Sequence, residues 1–219
     1  LVLNNLEFDH ADIYPDLAAI QRQFHHLVRI VPGSGRIVHN ANDPRLDQVL
    51  TMGCWTPLES FSSAGTAVAT WSLNLPEGGD FSAFDVLHAG QTIGTVAWQM
   101  SGAHNAENAL AAIAAAHHAG VPTGTAIEAL TQFKGIRRRM ELRGVAADIK
   151  VYDDFAHHPT AIATTLDGLR RKVGTERIVA VLEPRSATMR LGVHATTLAP
   201  SLAQADEVAG SRAQAVAHQ

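Results

Sequence analysis

Acidic residues and a histidine follow the first strand-like segment of the chain. Residues 1–6 have the apolar pattern of a short buried strand, and residues 4–12 have the sequence NNLEFDHAD. In open α/β sheets, ligands bind at the carboxyl ends of strands, and carboxylate and imidazole groups can hold a hard divalent cation beside a nucleotide. The same residues could instead be the acidic first turn of a helix, which the helix dipole favours. Spacing alone leaves both interpretations open.

A second polar run, GAHNAEN at residues 102–108, opens an alanine-rich segment. Asn105 and Asn108 are three residues apart, so a helix would place both on one face. A side-chain amide carries a donor and an acceptor together, which suits the edge of an adenine ring. The alternative is that His104 or Asn105 only caps the helix.

A basic run, FKGIRRRME, occupies residues 133–141. Guanidinium groups pair with phosphate oxygens in a bidentate way, so three consecutive arginines could offset phosphate charge. The alternative is a solvated basic loop.

Two further runs follow strand-like segments in the last third of the chain. The sequence VYDDFAHHP at 151–159 overlaps and follows a predicted strand at 149–154, and EPRSATMR at 183–190 follows a predicted strand at 177–182. We interpret these strands as neighbours in one parallel sheet. Both polar runs would then lie on the same rim of that sheet.

Periodicity predicts the elements that carry these runs. Apolar residues at helical spacing predict helices at 16–31, 105–119, 123–133, 158–172 and 198–205, with Thr123 or Thr125 capping the third. Residues 36–39 predict a strand, and alternation within 49–99 predicts several strands of an antiparallel or mixed sheet. We expect a domain boundary near the basic turn at 134–143, a parallel sheet after it, and poor order at 209–219.

Composition restricts the class of protein. The 219 residues suit one large domain or two modest ones, and the formal charge of −4 gives no support for binding nucleic acid or a membrane surface through bulk charge. No apolar run approaches the roughly 20 residues of a membrane span. The single cysteine excludes an internal disulfide and favours a reducing cytoplasm. Because the chain starts at Leu1 with a strand-like pattern, we expect it to be a fragment.

The five polar runs, in this order, resemble those of the Mur ligase family. These ATP-dependent enzymes build the murein peptide and have three domains. The resemblance implies an α/β fold, with part of the central ATP-binding domain at 1–134 followed by a truncated Rossmann-like C-terminal domain with parallel strands at 135–219. It implies ATP and Mg²⁺ as cofactors.

The resemblance also implies roles for nine positions. By its place in the first run, His10 would be a magnesium ligand, and His104, Asn105 and Asn108 would lie on the adenine side. Arg139, and less surely Arg138, would reach the nucleotide, and Asp154 and His157 would close over ribose and phosphate. Arg185 would lie at the acceptor or the transferred phosphate.

The activity that the resemblance implies belongs to peptidoglycan recycling in the bacterial cytoplasm. The runs are most similar to those of the members that join UDP-N-acetylmuramate to L-alanyl-γ-D-glutamyl-meso-diaminopimelate through an acyl phosphate. Fragments of the members that use L-alanine, and a non-catalytic nucleotide-binding module, are the alternatives. Besides the truncated C-terminal domain, two departures matter. The sequence contains no GxxxxGK[ST] phosphate loop, so we expect this chain alone to be inactive, and His25 stands near the place where several members have a metal-binding lysine.

Overall fold

The computed structural model describes residues 1–64, 68–183 and 186–210, and the chain forms two compact units. The first unit contains Leu1–Phe8 and Tyr14–Phe133, and the second contains Asp9–Ile13 and the chain from Lys134 onward. The main change of unit therefore falls where the basic turn begins. No helix in the described ranges combines the length and apolar character needed to cross a lipid bilayer.

The first unit is built on a mixed six-stranded sheet. Its strands lie side by side in chain order: β1 (Val2–Leu3), β2 (Ile37–Asn40), β3 (Leu58–Ser62), β4 (Trp71–Asn74), β5 (Ala83–His88) and β6 (Gln91–Ala97). The first four strands are parallel, and the last two join them antiparallel. A two-residue turn with positive φ at Ala89 and Gly90 connects β5 to β6, which matches the right-handed twist of a hairpin.

The described residues of this unit form four helices: α1 (Leu17–Arg29), α2 (Pro44–Thr51), α3 (Ala103–His118) and α4 (Thr123–Thr131). The Asp16 side chain caps α1 by accepting from the Ala19 N–H. Asp43 caps α2, and its second carboxylate oxygen accepts from the buried Leu6 N–H at 2.8 Å. One carboxylate therefore fixes both the start of α2 and the segment that leaves β1.

The apolar side chains of this unit form two clusters. Side chains of β1, β2, α1 and α2 form the smaller cluster, around Ile37 and Leu46. The larger one joins β2–β6 to α3 and α4, and it contains Phe61, Trp71 and Leu110. The contact between β6 and α4 is close at Gly94, where an added Cβ would lie 2.8 Å from Ile127 Cδ1. Burial of these apolar faces is the main stabilising contribution to the unit.

The second unit contains two separate two-stranded sheets. β7 (Glu141–Ala146) and β8 (Ile149–Asp153) form an antiparallel hairpin, whereas β9 (Val179–Leu182) pairs parallel with β10 (Glu207–Gly210). Three helices accompany them: α5 (Pro159–Val173), α6 (Ala187–Arg190) and α7 (Ala195–Ser201). One face of β9, with Ala180 and Leu182, packs into the core around Leu166. On the other face, Val179 and Val181 are 51% and 82% exposed.

Most of the predicted helices are confirmed. The structure places helices within or close to the predicted ranges at α1, α3, α4 and α5, and strands at β2 and β9. The mixed sheet and the α/β class are also confirmed. The last helix is shifted and lies at Ala195–Ser201, not 198–205. Within the range predicted to be poorly ordered, Ala209 and Gly210 end β10, and the rest of that range lies outside the described residues.

Two predictions were wrong, and helix α2 was not predicted, because its eight residues are too few to show a helical period. Neither Thr123 nor Thr125 caps α4, whose N-cap is Pro122 without a side-chain hydrogen bond. Strand β8 is not in the same sheet as β9, because it pairs with β7. Runs 151–159 and 183–190 therefore follow strands of different sheets, and the shared sheet rim that the sequence predicted is wrong.

The side chain of Arg170 connects the C-terminal end of α5 to the loop before β9 and to the residues before β10. Arg170 Nη1 donates to the carbonyl oxygens of Gly174 and Glu176 at 3.0 and 2.6 Å. Its Nη2 donates to the Gln204 carbonyl oxygen at 3.0 Å and to Asp206 Oδ2 at 2.6 Å. The guanidinium thereby neutralises carbonyl dipoles at the C-terminus of α5, where a cation is favourable.

Replacing this arginine tests how much the second unit depends on it. Arg170→Ala should lower the free energy of unfolding by about 2 kcal/mol, because hydrogen bonds to a charged group are lost. Arg171→Ala is the matched control, since Arg171 forms a solvent-exposed ion pair with Asp167 one turn away on the same helix and should cost at most about 0.5 kcal/mol. Urea unfolding of both variants measures the difference. Equal losses for the two variants would contradict the role of Arg170.

Candidate functional site

Polar side chains follow each of the first three parallel strands. Asn4 comes directly after β1, Asn40 ends β2, and Ser62 and Ser63 lie at the end of β3. Asn42 extends the group, because its N–H donates to Asn40 Oδ1 at 2.9 Å and its Nδ2 donates to Ser62 Oγ at 2.8 Å. These are the carboxyl ends of parallel strands, where α/β sheets bind ligands.

Helix α3 brings two of its side chains to these strand ends. Ser63 Oγ donates to Glu107 Oε1 at 2.8 Å, and Asn40 Nδ2 lies 3.4 Å from Glu107 Oε2. Asn4 Nδ2 donates to Asn108 Oδ1. The side-chain oxygen Oδ1 of Asn4 is buried and has no hydrogen-bond partner within the described ranges. The edge of the sheet thus offers amide, hydroxyl and carboxylate groups together.

The first turn of α3 carries the run GAHNAEN. Its N-cap is Gly102 at φ 90°, and no side chain caps the helix, so neither His104 nor Asn105 acts as the cap. Asn105 Nδ2 donates to the Ser101 carbonyl oxygen at 2.7 Å, which leaves the Asn105 side-chain oxygen as an acceptor. His104 is half-buried beside it.

Burial raises the pKa of the Glu107 carboxyl above its ordinary value. The hydrogen bonds from Ser63 and Asn40 oppose this effect without cancelling it. The sequence pattern gives no role to Glu107, although the residue lies within the run GAHNAEN. Ser63 and Asn40 were also missed. The rule that was applied to the end of β1 would have identified Asn40 at the end of β2.

In the second unit, His10 lies in a tight turn. Its backbone is left-handed at φ 54°, and the Ile13 N–H donates to its carbonyl oxygen at 2.8 Å. The imidazole is exposed, and its ring nitrogens make no hydrogen bond within the described part of the chain. An exposed ring of this kind can donate a lone pair to a ligand or an ion.

Asp9 stabilises the same turn. Its Oδ1 accepts from the His10 N–H at 2.7 Å and from Thr188 Oγ1 at 2.8 Å. Partial burial would raise the pKa of Asp9. The two hydrogen bonds and the nearby imidazoles of His10 and His158 lower it more, so the net pKa lies below the ordinary value. The carboxylate is therefore ionised beside His10 at neutral pH.

The described residues contain no group of three or more His, Cys, Asp or Glu side chains that could hold a metal ion. A magnesium ion beside a nucleotide usually keeps several waters and takes only one or two protein ligands. The exposed imidazole of His10 next to an ionised carboxylate fits such a sparse site. The side chain of His25 is already hydrogen-bonded. Its Nε2 lies 3.2 Å from the Gly53 carbonyl oxygen, and it must donate because a carbonyl oxygen only accepts.

The three arginines of the basic turn differ in their contacts. Arg138 has φ 58°, lies over the Phe155 ring at 4.9 Å, and pairs with Asp153 at 3.6 Å. Arg139 lies 5.9 Å from the same ring and makes no ion pair with any residue that the structure describes. Both side chains are exposed. Unlike Arg138, Arg139 therefore keeps a charge that a ligand could neutralise.

Asp154 braces the backbone beside these arginines. Its Oδ2 accepts from the Met140 N–H at 2.8 Å, and its Oδ1 accepts from the Ala156 N–H at 2.7 Å. His157 Nδ1 lies 3.0 Å from the Phe155 carbonyl oxygen. Because a carbonyl only accepts, Nδ1 carries the proton and Nε2 is left as an acceptor. The predicted residue Arg185 lies outside the described residues.

Two family models match this chain. The Mur ligase middle domain matches residues 1–116, and the domain described as Mur ligase, glutamate ligase domain matches residues 138–217. The chain belongs to the Mur ligase family. The family resemblance of the polar runs and the implied α/β fold are thereby confirmed.

Known Mur ligases are similar over nearly the whole chain. The UDP-N-acetylmuramate–L-alanyl-γ-D-glutamyl-meso-2,6-diaminoheptandioate ligase of Escherichia coli K12 is 56% identical over 95% of this chain and 45% of its own length. The UDP-N-acetylmuramate–L-alanine ligase of Acidothermus cellulolyticus is 36% identical over 94% and 43%. The crystal structure of murein peptide ligase from Psychrobacter arcticus is 47% identical, with a TM-score of 0.66 over 95% of this chain and 42% of that one. The chain spans somewhat less than half the length of these relatives.

The raised pKa of Glu107 gives a prediction for stability. Folded Glu107 holds its proton more tightly than the unfolded chain does, so its ionisation weakens folding. The free energy of unfolding of the unmodified chain, relative to Glu107→Gln, should therefore fall as pH rises from the ordinary glutamate pKa of about 4.3 to the raised value, and then level off. Urea unfolding at several pH values measures this difference. Glu128→Gln, at an exposed position of α4, is the control. A difference that grows with pH would contradict the prediction.

Proposed function

We propose that this chain is part of an ATP-dependent ligase that joins UDP-N-acetylmuramate to L-alanyl-γ-D-glutamyl-meso-diaminopimelate in peptidoglycan recycling. The 56% identity to the E. coli enzyme of that specificity is the observation that carries the proposal. The lower identity of 36% to an L-alanine ligase favours the peptide over L-alanine as the acceptor. ATP and a nucleotide sugar are cytoplasmic compounds, so the bacterial cytoplasm is the proposed location.

The first unit would supply the adenine side of the nucleotide site, as part of the central ATP-binding domain. His104, Asn105 and Asn108 lie on the first turns of α3, and α3 meets the carboxyl ends of the parallel strands through Asn108 and Asn4. The free side-chain oxygen of Asn105 can accept from the exocyclic amino group of adenine. The open acceptor of Asn4 adds to the same polar edge.

The second unit would supply positive charge near the phosphates, as part of the C-terminal domain. The limits of that domain, residues 135–219, stay a prediction. Arg139, which has no ion pair within the described ranges, can offset the negative charge of phosphoryl oxygens. Arg138 would act mainly on the loop, through Phe155 and Asp153. Asp154 holds the backbone of this loop, and the free Nε2 of His157 can accept from a ribose hydroxyl.

Magnesium would be held on the protein side by His10. When bound, the ion supplies positive charge against the phosphate oxygens. Asp9 keeps the turn of His10 in place through the His10 N–H and Thr188. Arg185, proposed for the acceptor or the transferred phosphate, rests on the family resemblance alone.

The proposed reaction has two steps. The muramate carboxylate attacks the γ-phosphorus of ATP, and the bond to ADP breaks to leave an acyl phosphate. The peptide amino group then attacks the acyl carbon, phosphate leaves, and the ammonium proton is lost to solvent. In both steps the side chain of Arg139 can stabilise negative charge that develops on phosphoryl oxygens.

Asn108 tests the adenine side in this chain. Asn108→Ala should weaken ADP binding about tenfold, which corresponds to the loss of about one hydrogen bond. Asn74→Ala, an exposed asparagine at the end of β4, should bind ADP like the unmodified chain. Isothermal calorimetry measures both variants. Equal affinities for Asn108→Ala and the unmodified chain would argue against an adenine role for this residue.

The ligase activity of this chain by itself needs a test of its own. With ATP, UDP-N-acetylmuramate and the tripeptide, we expect no ADP release above that with ATP alone, because the sequence contains no glycine-rich loop to hold the phosphates. A coupled assay of ADP release measures this, with the full-length E. coli relative as the positive control. Turnover near that of the relative would contradict the expectation. ADP binding without turnover would fit the alternative of a nucleotide-binding module.

A further inference from the structure

Three strand ends converge on one short stretch of α3. Asn40 from β2 and Ser63 after β3 both donate to the Glu107 carboxylate, and Asn4 after β1 donates to the neighbouring Asn108. Two consecutive residues of the helix are thereby connected to three parallel strands.

The start of α3 needs such connections. The helix begins at Gly102 at φ 90° and has no side-chain cap, so its first turn is not fixed by the usual hydrogen bond to an N-cap side chain. Asn40 is buried and Ser63 half-buried, and buried polar groups are costly when they lose their partner. Glu107 satisfies both groups at once. Glu107 therefore holds the start of α3 against the strand ends, in addition to holding the loop after β3.

Glu107 lies on a different side of α3 from the two asparagines. Successive residues of a helix are rotated by about 100°, so Asn105 and Asn108 lie about 60° apart, while Glu107 lies well away from both. A ligand held by the asparagines would not need to touch the carboxylate. The effect of Glu107 on such a ligand would be indirect.

We infer that Glu107 is a positioning residue for the adenine side of the nucleotide site. Its carboxylate holds the first two turns of α3 against the ends of β2 and β3, and so sets the orientation of Asn105 and Asn108. The inference rests on the proposed function, because it assumes that these asparagines receive adenine.

The test compares two substitutions at one position. Glu107→Ala leaves Asn40 and Ser63 without their acceptor, and should weaken ADP binding about tenfold. Glu107→Gln should stay within about threefold of the unmodified chain, because its oxygen can accept from Asn40 and its amide can donate to the Ser63 hydroxyl. Glu128→Ala, at an exposed position of α4, is the control and should not change the affinity. The loss for Glu107→Ala should be the same with adenosine as with ADP.

Amide hydrogen exchange supplies a readout that needs no ligand. In Glu107→Ala, exchange at residues 105–110 should accelerate about tenfold relative to α1, and Glu107→Gln should restore most of the protection. Unchanged exchange, or unchanged ADP affinity of Glu107→Ala when Asn108→Ala has lost affinity, would overturn the inference alone. If the unmodified chain binds neither ADP nor adenosine, the adenine role in the proposed function fails, and the inference fails with it.

Discussion

Parallel pairing of β1, β2 and β3 is the constraint on which the polar chemistry of the first unit depends. Because the three strands run in the same direction, their carboxyl ends meet at one edge, and polar residues that follow them are brought together. The half-buried carboxylate of Glu107 accepts hydrogen bonds there. Its pKa is raised because partial burial makes the charged form less favourable at this edge. An antiparallel neighbour would have sent one of these ends to the opposite side.

The parts of the fold that the sequence predicts well are those with a long repeating pattern and a clear end. Helix α1 has five apolar residues at helical spacing and an aspartate cap, and α3 is followed by Ala119 and then by Gly120 at φ 89°. Helix α2 has only eight residues, too few for a periodic signal. Strand β7 has five exposed residues out of six, so no alternation marks it, and only its pairing with β8 defines it.

The candidate site was predictable by residue type but not by partner. The polar runs point to strand ends and helix starts, and most of those positions are found there. The partners come from contacts between distant parts of the chain, such as Ser63 with Glu107, 44 residues apart, and Asp9 with Thr188, 179 apart. Such pairs leave no trace in local spacing. Asp154 shows the reverse case, since a residue singled out for chemistry also holds two backbone amides.

The exposed valines of β9 bear on how this polypeptide behaves in solution. Parallel strands are normally covered on both faces, yet Val179 and Val181 present an apolar stripe to water on the face opposite the core. Stripes of this kind favour association between molecules at high concentration. Association through this stripe would therefore limit the concentration at which solution measurements report on the single chain.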